Sequence, residues 1–152
     1  MVYLMGNSIS KVWVSKDRRA LAFVTKQPWT IVYETVNDCC NDVWFAAVTG
    51  LTSLLKGKEI IRVVADTWVQ KGLDDNGMGT TVAWWSLTTE KGVCQWEIRN
   101  CGNEWYYGGK IRKMDDNEAA KWWRHDSKFK PEKDGWTKLT QDFIGYDRSG
   151  ED

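Results

Sequence analysis

Two cysteines stand side by side at Cys39 and Cys40, and the 152-residue chain holds a single histidine, His125. A thiol beside an imidazole is the minimum apparatus of cysteine-dependent hydrolysis or group transfer. Helical spacing downstream places the pair in the first turn of a helix, where the positive dipole end lowers a thiol's pKa. Cys40 as nucleophile and His125 as base therefore define one candidate site, that of a small hydrolase or transferase. The blander account is a buried thiol, with a histidine that meets the dipole at a helix end. Glu97 and Glu104 fall on one face of an expected hairpin and could form a glycosidase couple. Arg99 lies directly across from Glu104 in that register, so an exposed ion pair explains the charges more simply. The remaining cysteines are Cys94 and Cys101; without a C-x-x-C and with one histidine there is no zinc-ligand set. No metal or cofactor is expected.

The second kind of chemistry is stacking. The chain has 11 tryptophans, more than its leucines, which inverts normal usage. Exposed indoles stack on bases or sugars, or fill pockets in a partner, while Arg and Lys hold a phosphate or carboxylate. Trp84, Trp85, Tyr106, Lys110, Arg112, Trp122, Trp123 and Arg124 make up the expected ligand-binding surface. Its ligand is a nucleotide, a single-stranded nucleic acid, a sugar or a protein partner. A recognition domain without catalysis is thus the first reading, the cysteine enzyme the second, and an inhibitor that blocks another macromolecule the third. Twenty-one basic residues balance 21 acidic ones, which argues against a dedicated duplex-DNA binder, because that role needs an excess of Lys and Arg.

These residues need elements to hold them. The pattern predicts an α+β fold: an antiparallel sheet of about five to seven strands packed on one main helix (about 38–56), with a second helix (about 115–126). Val43, Trp44, Ala47, Val48, Leu51, Leu54 and Leu55 follow the three-and-four spacing of a core-facing helical stripe. Asp42 would sit in that helix's first turn, and Gly57 would supply a left-handed cap at its end. Short alternating runs at 11–15, 20–25, 29–36, 80–89 and 92–99 read as strands, as does the β-branched stretch 59–70, whose spacing also fits a helix. A hairpin partner at 103–113 would follow a turn on Cys101–Gly102. In that register Cys94, Trp96 and Ile98 share an apolar face, with Gln95, Glu97 and Arg99 opposite.

The tryptophans then divide. Trp44, Trp96 and Trp105 belong to the core by periodicity, and Trp13, Trp29 and Trp68 join them from strands. Trp84–Trp85, Trp122–Trp123 and Trp136 are left over; consecutive strand residues face opposite ways, so both members of the first doublet are core only in a sheet covered on both sides. The length suits one domain over 1–152, with loose ends at about 1–10 and 146–152. With no run of about 18 apolar residues and no secretory pattern in the first ten, the expectation is free thiols and a cytoplasmic protein without a transmembrane segment.

Overall fold

Period-two alternation becomes strands along most of the chain in the computed structural model, which describes residues 4–27, 29–35, 41–65, 69–73, 78–103, 120–124 and 130–144. The elements run β1 (Ile9–Val14), β2 (Ala20–Thr25), β3 (Trp29–Glu34), β4 (Asn41–Thr49), α1 (Leu51–Lys56), β5 (Arg62–Ala65), β6 (Val69–Leu73), β7 (Met78–Thr89), β8 (Gly92–Asn103), β9 (Ala120–Arg124) and β10 (Thr137–Lys138). They form two antiparallel sheets. The first has the order β10-β1-β2-β3-β9; the second runs β4-β8-β7-β5, with β6 also paired to β7.

The two sheets share one apolar interior. Val12, Val14, Leu21, Phe23, Ile31 and Tyr33 enter it from the first sheet, and Val43, Phe45, Val48, Trp85, Leu87, Trp96 and Ile98 from the second. Phe23 meets Trp96 edge-on at 5.8 Å, and Trp85 meets Tyr33 and Phe45 at 5.4 and 5.7 Å. Edge-to-face geometry at these distances adds electrostatic attraction to the area that each ring buries. The intervening residues of the first sheet, Trp13, Ala20, Ala22 and Val32, form a smaller cluster on its outer side, against which Val24 and Trp136 pack. Leu4 and Ile9, near the start of the chain, are fully buried.

The α+β architecture is overturned: the described residues are mostly strand, with one six-residue helix. Residues 41–49 of the expected main helix are strand β4, and only its end, Leu51–Lys56, is helical. Every residue from Val43 to Val48 is buried. A strand covered on both faces loses its alternation and reads as a continuous apolar run, which a helical stripe fits equally well. Residues 120–124 of the expected second helix are strand β9, paired with β3; the rest of that segment lies outside the described residues.

The expected hairpin also changes partners. β8 runs straight through Cys101 and Gly102 to Asn103 and pairs with β4 and β7. Arg99 therefore stands opposite Trp44 and Val82, not opposite Glu104. Its ion pair is with Glu97 on the same face, at 3.3 Å. The division of faces along β8 does hold, with Cys94, Trp96 and Ile98 buried and Gln95 exposed.

A segment near the C-terminus ties the two sheets together. β10 pairs with β1, the Leu139 amide donates to the Val12 carbonyl at 2.9 Å, and Phe143 exchanges backbone hydrogen bonds of 2.9 and 3.2 Å with Val48 on β4. The Asp142 carboxylate accepts the Gly50 and Leu51 amides, each at 2.9 Å. Among the described residues no helix is long and apolar enough to cross a membrane.

Candidate functional site

The turn between β1 and β2 is built by its own side chains. Ser15 Oγ donates to Asp17 Oδ1 at 2.6 Å and accepts the Ala20 amide at 2.9 Å; the same carboxylate oxygen accepts the Arg19 amide at 3.1 Å. Arg18 takes a left-handed φ of 62°, which costs a residue with a side chain about 1 kcal/mol or more. Its carbonyl accepts the Phe45 amide at 2.8 Å, beside the bulge where the β4 register shifts between Phe45 and Ala47. Its guanidinium lies 4.9 Å above the Phe143 ring. The turn is thereby clamped to the second sheet. Arg19 strengthens the clamp by donating from Nε and Nη2 to Asp42 Oδ1 at 3.2 and 2.8 Å. Asp42 thus serves as an ion-pair partner across the sheets, correcting its expected place in a helix's first turn.

Trp136 approaches from the other end of the chain. Its amide donates to the Pro131 carbonyl at 2.9 Å, closing the 131–135 turn just before β10. Its ring packs on the Trp13, Ala20, Ala22 and Val32 cluster. Between the indole and the turn lies an open pocket of about 290 Å³. Trp136 and Ala20 give it an apolar side, and Ser15, Asp17, Arg19, Glu34 and Thr35 give it a polar rim. The Thr35 amide, bonded to the Arg19 carbonyl at 2.8 Å, holds the end of β3 against the turn.

The lining is made of polar and charged groups around one indole. It contains neither cysteine nor histidine, and the Ser15 hydroxyl is engaged both as donor and as acceptor. No group of three or more His, Cys, Asp or Glu among the described residues could hold a metal ion. What the rim offers is a guanidinium and hydroxyls as donors, carboxylates as acceptors, and one indole plane.

Of the residues expected from sequence, Trp84 and Trp85 lie on β7 of the second sheet, and Trp122, Trp123 and Arg124 on β9 of the first. Trp85 is 5% exposed and belongs to the interior aromatic cluster. Trp84 turns to the opposite face of β7, half-buried, in register with Glu97. Trp122, Trp123 and Arg124 lie on β9 opposite Ile31, Thr30 and Trp29. Tyr106, Lys110, Arg112, Cys40 and His125 lie outside the described residues. The argument for an activated Cys40 loses its helix, because the chain enters a strand at Asn41. Of the other thiols, Cys94 is free and buried. Burial pushes the Cys94 thiol far above its ordinary pKa, with a further push from the Asp142 charge. Trp29, assigned to the core by its strand, is 39% exposed.

Ser15, Asp17, Arg19, Glu34 and Thr35 were not legible as a set. Trp136 stands out in the sequence as a leftover indole, but more than a hundred residues separate it from the β1–β2 turn, and the pairing of β10 with β1 brings the two together.

Two antiparallel sheets around a common interior, with a polar pocket on an outer face, place the protein in the all-β class. Residues 3–113 match the model of a domain of unknown function, DUF7448. That match covers well over half of the chain, and the protein belongs to this family. No curated protein and no solved structure matches it. The matched segment holds the whole polar rim of the pocket; Trp136 falls outside it.

Proposed function

We propose that this protein is a non-enzymatic recognition domain that holds a small polar ligand in the pocket beneath Trp136. The observation that carries this reading is the pairing of an indole wall with a rim of donors and acceptors on a turn fixed by five hydrogen bonds and an ion pair. A site held this firmly orders few side chains on binding, which lowers the entropic cost of association. Trp136 and Arg19 give this pocket an indole and a guanidinium, though neither belongs to the surface expected from sequence. The anionic branch of that expectation is weakened, since Asp17 and Glu34 would oppose a phosphate.

Saturation-transfer NMR on the full chain tests the reading with glucose, AMP and arginine as probes. Transfer to at least one probe is expected, and it should disappear in Trp136→Ala while surviving in Trp29→Ala. Transfer to none of them, or transfer that persists in Trp136→Ala, overturns it.

A further inference from the structure

The geometry points to a neutral, polyhydroxylated ring, a single sugar residue, as the ligand of the Trp136 pocket; this rests on the binding reading above and names its ligand class. Three features carry it. First, the rim mixes donors and acceptors. A phosphate needs donors alone and an ammonium needs acceptors alone, whereas a sugar hydroxyl gives one hydrogen bond and takes two. Vicinal hydroxyls can therefore satisfy the Asp17 and Glu34 carboxylates and the Arg19 and Thr35 donors together. Each carboxylate offers about four lone-pair sites, and Asp17 Oδ1 takes two bonds within the turn.

Second, the cation in the pocket is already neutralised. Arg19 directs Nε and Nη2 to Asp42 at 3.2 and 2.8 Å, so it is a poor anchor for a further anion. A neutral ligand needs no such anchor. Third, one wall is a flat indole continuous with Ala20. The axial C–H face of a pyranose is apolar and lies against such a surface, while its equatorial hydroxyls project sideways to the rim. A volume of about 290 Å³ stands at the small end of ligand sites, which begin near about 300 Å³. It holds one ring, with the open side left for solvent or for the next residue of a chain.

The test is titration of the full-length protein with D-glucose, D-galactose, D-mannose and N-acetyl-D-glucosamine, with AMP, inorganic phosphate and arginine in parallel, followed by saturation-transfer NMR. At least one neutral sugar is expected to bind with millimolar affinity. Trp136→Ala should weaken it tenfold or more, Glu34→Gln about fivefold, and Trp136→Phe less than Trp136→Ala, with the far-UV circular dichroism of Glu34→Gln and Trp136→Phe unchanged. Binding of AMP, phosphate or arginine through Trp136, with no sugar bound, overturns the sugar assignment and leaves the pocket reading standing. Binding of nothing overturns both. Sugar binding that is indifferent to Trp136→Ala and Glu34→Gln places the ligand elsewhere and overturns the assignment.

Discussion

Gly50 and Gly57 bracket α1 for different physical reasons. Gly50 carries a φ of 76°, and a Cβ there would run into the Val93 carbonyl oxygen. Gly57, where a left-handed cap was expected, is extended at a φ of −73°. It is glycine because a Cβ would collide with the Thr89 hydroxyl and the Ser53 carbonyl. Gly50→Ala is expected to lose about 2–3 kcal/mol in urea denaturation, from left-handed strain plus a backbone clash; a loss under about 0.5 kcal/mol, the range of an innocuous surface change, would show that neither restraint acts. Cys94 gives a second prediction at this scale. Burial disfavours its thiolate, and the thiolate is the nucleophile. Iodoacetamide at neutral pH should therefore leave Cys94 unmodified in the native protein and alkylate it in denaturant. Rapid native labelling of Cys94 would contradict its position in the interior.

At the scale of elements, the legible strands were those with one wet face or a clear turn. β1, β2, β7 and β8 are seen in the sequence because charged residues alternate with apolar ones or punctuate their ends. β4 was not, because residues 43–48 are covered on both sides and carry no period. The place of the C-terminal segment is not legible in the sequence, since what fixes it is pairing with β1 and β4 far away in the chain. It bridges the edge of β4 at Val48, where unpaired N–H and C=O groups would otherwise invite another strand. Asp142→Asn weakens the carboxylate that accepts the Gly50 and Leu51 amides and should cost about 1 kcal/mol. Phe143→Ala should speed hydrogen exchange at the Val48 amide more than at the Phe23 amide, and equal protection in both proteins would deny the segment this role. The β7–β8 turn offers a pH test. Glu90 accepts the Lys58 amide with both oxygens at 2.9 Å, and this bond holds its carboxyl below the ordinary value of 4.5. The sign follows from the lowered value: the link is complete above about pH 4.5 and is lost as the pH falls through the depressed pKa. The Lys58 amide resonance should titrate below pH 4.5, and Glu90→Gln should abolish that inflection.

Across the whole molecule, the tryptophans explain both the stability and the site. Trp85 and Trp96 join Phe23, Tyr33 and Phe45 in one aromatic network between the sheets. Trp13 and Trp136 belong to the smaller cluster outside the first sheet. The sequence marked Trp136 as unexplained but could not show its partners, because the turn that faces it lies at the other end of the chain. Two separate clusters imply two separate costs. Trp96 is fully buried, and Trp96→Ala should lose about 3–5 kcal/mol. Trp136 is half-buried and packs at the margin of the outer cluster, so Trp136→Ala should lose only about 1–2 kcal/mol. Urea melts of the two variants, followed by circular dichroism so that the lost indole does not bias the signal, make the comparison. The expected gap is at least about 2 kcal/mol, which leaves Trp136→Ala folded and usable in the binding experiment. Equal losses would show that the indole is a structural rivet of the outer sheet face, and the ligand test would then rest on Trp136→Phe and Glu34→Gln.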